Sequence, residues 1–176
     1  LAAGIRMKTL SQHLPQCRLV RLMPNTPSII GCGLLGFLLN EADDALEAMV
    51  EDLFTPLGRV IKMQDEDQFE AFMISCSSGT GFVFELMTYW QEWIEEHGFE
   101  PEQAHQMTVE TFLGAAKLAN KSLDIGLEEL QARVTSKRGV TEAGLESMRE
   151  LEIERALRIS FEKAALRNKE MARLLK

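Results

Sequence analysis

Cysteine, histidine and long apolar runs are all scarce in this 176-residue chain, and each scarcity excludes something. Cys17, Cys32 and Cys76 are widely separated, as are His13, His97 and His105, and none stands at a metal-ligand spacing. Neither a metal site nor a Cys/His nucleophile pair is expected, and the thiols read as reduced and mostly buried. The longest apolar stretches fall far short of a membrane span, and no basic segment leading into an apolar core marks secretion. A cytoplasmic protein without membrane contact is expected. Aromatic residues make up only 7% of the chain, yet 45% of residues are hydrophobic, enough to bury the core of one or two domains.

Charge of one sign is missing from whole segments. The net charge of −8 argues against a nucleic-acid partner. Residues 1–40 carry Arg6, Lys8, Arg18 and Arg21 but not one carboxylate. Residues 41–70 then carry ten acids against Arg59 and Lys62, and residues 85–110 carry seven acids and no lysine or arginine. Between Leu130 and Thr141 the sign reverses again, with Arg133, Lys137 and Arg138 and no acid. Chance and solvated helix faces account for such blocks, and so does an anionic ligand shared by the two basic segments.

Leu1-Ala2-Ala3-Gly4 reads as the end of a strand entering a turn, so a fragment of a longer protein is expected. The pattern then predicts a short helix near Met7 to His13, a strand at Arg18 to Met23 and another at Gly33 to Leu39. A helix at Asp43 to Phe54 and a strand at Arg59 to Met63 follow, the alternation expected for the closing part of an α/β sheet. After Asp65 the pattern is helical throughout. Phe82, Leu86, Trp90 and Trp93 recur at helical spacing, as do Met107, Thr111, Ala115 and Leu118, and then Ile153, Leu157, Ser160 and Ala164. Gly98 closes one helix, Pro101 suits the first turn of the next, and Thr141 is expected at an N-cap. Gly114-Ala115-Ala116 suits close approach of another helix. Several of these stripes are apolar over more than one face, and burial against a second copy of the chain would cover them.

Two loops carry the chemistry. Met23-Pro24-Asn25-Thr26-Pro27 follows an apolar strand, and its prolines stiffen the backbone on both sides of Asn25. Such a string is often a plain surface turn, but the carboxyl end of a strand in an α/β sheet is also where ligands bind. Val134-Thr135-Ser136-Lys137-Arg138-Gly139-Val140-Thr141 leads into the helical Glu142-Ala143-Gly144-Leu145. Simple capping would explain it. A helix N-terminus with unpaired N–H groups, hydroxyls and cations is equally a carboxylate site.

These residues resemble the carboxyl-terminal two-thirds of the pyrroline-5-carboxylate reductase family. The family's A-A-G appears as Ala2-Ala3-Gly4, and its V-R-x-M-P-N-T-P as Val20 to Pro27. E-D-x-x-D/E-A is matched by Glu66 to Ala71, L-G-A-A-K by Leu113 to Lys117, and V-T-S-P-G-G-x-T-x-A-G-L by Val134 to Leu145 with substitutions. The resemblance implies residues 1–64 as the closing part of a Rossmann NAD(P)-binding domain. It implies residues 65–176 as an all-helical dimerisation and substrate-binding domain, similar to the carboxyl-terminal domain of 6-phosphogluconate dehydrogenase. It implies NADPH or NADH as cofactor, a small imine carboxylate as substrate, and a homodimer or higher oligomer of this chain. The cofactor would lie against Ala2, Ala3, Met23, Pro24, Asn25, Thr26 and Arg133. Glu66, Ser136, Gly139, Val140 and Thr141 would hold the substrate, with Thr141 the catalytic candidate facing a site completed by the other subunit. The reaction implied is hydride addition to the C=N carbon of 1-pyrroline-5-carboxylate, giving L-proline.

Departures stand inside the match. Lys137-Arg138 occupies the place of a family Pro-Gly, Cys76 to Phe82 that of S-G-S-G-P-A-Y, and Arg133 that of a short amide in some members. No G-x-G-x-x-G stands between a strand and a helix, since the one string with that spacing, Gly31 to Gly36, runs into the strand expected at Gly33 to Leu39, so this stretch alone is not expected to hold NAD(P)H with useful affinity. Three readings stay open: a reductase of pyrroline-5-carboxylate, a related reductase of another imine or small carboxylate, and a non-catalytic dimerising relative.

Overall fold

Gly33-Leu34-Leu35-Gly36-Phe37-Leu38-Leu39 is apolar at every position, the pattern of a strand covered on both faces, and in the computed structural model it is the central strand β2 of a three-stranded sheet. The structure describes residues 4–174. β1, Val20–Pro24, runs antiparallel to β2 with Val20 opposite Leu39 and Pro24 opposite Leu35. β3, Gly58–Lys62, runs parallel to β2 on its other side, with Gly33 opposite Gly58. β1 begins two residues later than the sequence pattern suggests and includes Pro24, which is tolerated because β1 is an edge strand of the sheet.

Alternation along the strands sorts two cores. On one face Met23 and Leu38 pack with Met7, Phe69, Phe72, Met73 and Ile74. On the other, Phe37 packs with Leu46 and Val50 of helix α2, Asp44–Phe54. A Cβ on Gly36 would stand 2.6 Å from the Phe72 ring, so only glycine lets that ring lie against the strand. Asp43 caps α2, its side chain accepting the Leu46 N–H at 2.9 Å while facing Arg18 at 3.0 Å. A Lys62–Glu47 ion pair ties β3 to the same helix.

Helix α1 covers Met7–His13, and helix α3, Glu66–Phe72, starts at its cap Asp65 and passes into a π-helical turn, Met73–Ser78. Five helices follow: α4 at Gly79–Glu96, α5 at Pro101–Lys121, α6 at Leu127–Arg133, α7 at Val140–Glu150 and α8 at Ile153–Leu174. Pro101 opens α5 at its first position, and α4 ends just before Gly98. Among the described residues no strand occurs after Lys62 and no helix is long and apolar enough to cross a membrane.

The chain divides into two compact units, Leu1–Phe82 with Ile159–Lys176, and Val83–Arg158. In the first, Phe161, Ala164 and Ala165 of α8 pack on the core beneath the sheet, and the Phe161 ring meets that of Phe82 at 5.5 Å. In the second, Ile94, Ala104 and Thr108 are buried where α4 and α5 meet, and Trp90 stands edge-on to Phe112 at 5.5 Å. Much of the apolar surface of those helices is uncovered, Trp93 being 62% exposed. No residue of the described chain comes within contact of the open face at Gly114. The cysteines are free, but Cys17 and Cys32 are exposed and Cys76 half-buried, contrary to the expectation of buried thiols, because the first two fall in turns outside the strands.

Candidate functional site

The Met23–Thr26 loop is riveted in place. Asn25 donates its backbone N–H to the Leu34 carbonyl at 3.1 Å, and its side-chain Oδ1 accepts the Leu34 N–H at 2.8 Å. Its amide nitrogen reaches the Cys76 carbonyl at 3.5 Å. Ser77 Oγ donates to the Pro24 carbonyl at 2.9 Å. Both Cys76 and Ser77 lie in the π-helical turn, a widened helical geometry that recurs at functional sites. Beyond Asn25 a 3-10 turn, Thr26–Ile30, continues the loop, with Thr26 exposed at its start. The Met23 side chain belongs to the core and is 7% exposed. The part of this loop open to solvent is therefore Thr26 and the backbone about it.

Beneath the loop lies a charged cluster. Arg21 alternates onto the covered face of β1, where it is 7% exposed, and a buried cation there demands a partner. Glu66, in the first turn of α3, supplies it through Oε2, and its Oε1 accepts the Met7 N–H at 2.6 Å. The Arg21 guanidinium also lies 4.2 Å from the centre of the Phe69 ring. Arg6 pairs with Glu70 one turn further along α3. Burial lowers the Arg21 pKa from its ordinary value, with Glu66 opposing the shift, and the group stays cationic. Glu66, expected beside a substrate, is held on both oxygens by the protein.

The second loop lies in the other unit. Thr135 Oγ1 donates to the Gln131 carbonyl at 2.7 Å and Gly139 N–H to the Ser136 carbonyl at 2.8 Å. The N-cap of α7 is Gly139; Thr141 is the helix's second residue, not its cap. The reason is steric. A Cβ on Gly139 would stand 2.8 Å from the Ser136 backbone carbonyl oxygen, so the tight turn selects glycine at the half-in position, and the helix begins at Val140. Arg138 adopts φ 59°, and its backbone N–H donates to the Glu142 carboxylate. Ser136, Val140 and Thr141 are exposed, and the first-turn N–H groups of α7 have no intrahelical acceptor. Arg133 is engaged with Glu129 at 3.0 Å on the surface of α6.

The structure thus groups Met23, Pro24, Asn25, Thr26 and Glu66 in one unit and Arg133, Ser136, Gly139, Val140 and Thr141 in the other. Ala2 and Ala3 lie outside the described residues. Sequence reasoning passed over Arg21 and Ser77. A lone cation in an otherwise apolar strand was a readable signal for Arg21, whereas nothing local distinguishes Ser77 from its neighbour Ser78. Among the described residues no group of three His, Cys, Asp or Glu side chains could hold a metal ion. Thr26 presents an exposed hydroxyl at the head of its turn, and the nearby glycine spacing Gly31-x-Gly33-x-x-Gly36 runs into strand β2 rather than into a helix N-terminus, so it forms no phosphate cradle.

A small mixed sheet ending in a riveted loop and continuing into an all-helical run defines an α/β protein with an appended helical domain. Residues 66–171 match the family model for pyrroline-5-carboxylate reductase dimerisation. A pyrroline-5-carboxylate reductase of Pseudomonas aeruginosa is 33% identical over 99% of this chain and 64% of its own length. The solved pyrroline-5-carboxylate reductase of Coxiella burnetii superposes with a TM-score of 0.89 at 30% identity, covering 96% of this chain and 63% of that one. The Plasmodium falciparum pyrroline carboxylate reductase, solved with NADP bound, shares the fold with a TM-score of 0.87 at 21% identity, covering 96% of this chain and 68% of that one. The chain belongs to the pyrroline-5-carboxylate reductase family, and it spans just under two-thirds of the length of the Pseudomonas and Coxiella relatives.

Proposed function

We propose that the protein containing this chain reduces 1-pyrroline-5-carboxylate to L-proline with NADPH or NADH. The observation that carries the proposal is the Met23–Thr26 loop, rigidly built at the carboxyl end of β1 and fastened to the π-helical turn, in a chain of this family. The cofactor supplies the hydride when bound, with Thr26 and, by resemblance, Ala2, Ala3, Pro24, Asn25 and Arg133 beside it. Held on both oxygens, Glu66 would serve the site by positioning Arg21 and the start of α1.

Substrate recognition falls to the start of α7. Its open N–H groups and positive dipole end suit a carboxylate, held between Ser136, Gly139 and Val140. The Thr141 hydroxyl hydrogen-bonds the ring nitrogen, which takes a proton from that hydroxyl or from a water it orients as the C=N carbon gains the hydride. The family's name for residues 66–171 supports self-association, and by resemblance each active site would draw on two subunits. We take residues 1–64 as the end of the dinucleotide domain and 65–176 as the dimerisation domain. A cytoplasmic location goes with this reading.

A second reading, reduction of a different cyclic imine or small carboxylate, is favoured by Lys137 and by Arg138 at its positive φ, which place two cations in the substrate loop. Cofactor oxidation by the intact protein, followed with pyrroline-5-carboxylate and with other cyclic imines, separates the two. Oxidation with pyrroline-5-carboxylate as the best substrate supports the proposal. Preference for another imine transfers the assignment, and no oxidation with any imine sinks both. Thr141→Ala should lower kcat by about two orders of magnitude; unchanged turnover removes Thr141 from the mechanism.

A further inference from the structure

A cavity of about 220 Å³ lies between the start of α1 and the last turns of α8, lined by Gly4, Arg6, Thr9, Lys169, Ala172 and Arg173. Three of these six residues are cations and none is an acid, in a protein whose net charge is −8. Arg6 is steadied from behind by Glu70, whose side chain is only 11% exposed. Among the described residues Lys169 and Arg173 have no ion-pair partner, and the neighbouring Glu170 is already engaged by Arg167 at 3.0 Å. Cations gathered round one cavity repel one another, and an anion between them turns that repulsion into attraction.

The chemistry of the lining selects the anion. A carboxylate offers two oxygens, whereas the Arg173 fork, the Arg6 donors that Glu70 leaves over, an ammonium and the Thr9 hydroxyl can serve a group with three or four. Gly4 leaves one wall without a side chain. We infer that this cavity binds a phosphate group, either the free ion or a phosphate ester of a small metabolite. None of its residues belongs to the two loops described above, so the inference stands independently of the proposed reaction.

The test uses the intact protein. Inorganic phosphate and glycerol phosphate are titrated calorimetrically, at constant ionic strength, into the wild type and into a Lys169→Gln/Arg173→Gln double variant. Saturable binding to the wild type, weakened roughly tenfold or more in the variant with melting temperature and helix content unchanged, is the expected result. Binding of both probes identifies an open pocket that takes esters, and binding of inorganic phosphate alone identifies a free-ion site. Either supports the inference. Absence of binding to the wild type, or equal binding by the two proteins, overturns it. Lys169→Glu, which reverses one exposed charge without touching the core, should abolish binding, and retention of binding would count against the site.

Discussion

In the unit that holds the sheet, Phe37 and Phe69 are wholly buried, whereas in Val83–Arg158 Trp90, Trp93, Phe84 and Leu127 are all at least half exposed. The sheet has helices on both faces, so its apolar strands find cover within one chain. The helices from α4 to α7 carry comparable apolar stripes and find less cover. Apolar patches of that kind mark surfaces meant for another chain. The difference teaches where each unit buries its apolar surface: the first within its own core, the second only in part, which suits the self-association proposed above.

Phe37→Ala strikes hardest at that comparison. It removes a fully buried ring between β2 and α2 and should cost about 3–5 kcal/mol in chemical denaturation. Trp93→Ala should leave the sheet's core intact and shift sedimentation of the intact protein toward monomer. If Trp93→Ala leaves association unchanged, the contrast between the two units is broken.

Arg21→Met comes next. It leaves Glu66 facing a covered surface without its cation and should cost about 2–3 kcal/mol, while the exposed pair Arg155–Glu152 should lose no more than about 0.5 kcal/mol on Arg155→Ala. Equal losses in the two denaturation midpoints would erase the distinction between buried and surface pairs here.

Arg138→Gly should instead stabilise, by about 0.5–1 kcal/mol, since the left-handed backbone at this position strains any side chain. A fall in melting temperature would mean that the arginine side chain makes good the strain.

The smallest effect is acid sensitivity at α2. The Leu46 N–H and then Arg18 hold the Asp43 carboxyl below its ordinary pKa. Its contribution is therefore complete above the normal carboxylate range and disappears as pH falls through the depressed value. Asp43→Asn should flatten that part of the acid limb of stability against pH; an unchanged limb would deny the cap its electrostatic role.

Much of this was legible in the chain itself. The mostly apolar run through Val20, Leu22 and Met23 carried a strand, Asp43 and Asp65 announced two helix starts, and Pro101 marked a third. The motif strings carried the family. Thr141 misled because hydroxyl residues favour caps by local chemistry, while the actual cap was chosen by the clearance between Gly139 and Ser136. Cys17 and Cys32 misled because the usual burial of thiols is an average over folds that says nothing of a particular turn.

What the sequence alone determined is what depends on near neighbours: element type, helix starts, the stiffness of the Pro24–Pro27 segment, and the sign of charge along the chain. Tertiary structure decided what depends on residues far apart. It joined Glu66 to Arg21 and Met7, Ser77 to Pro24, and Lys169 and Arg173 to Arg6. The reason is physical: backbone preference is set over a few bonds, whereas burial and Coulomb attraction depend on distances that only the folded chain defines.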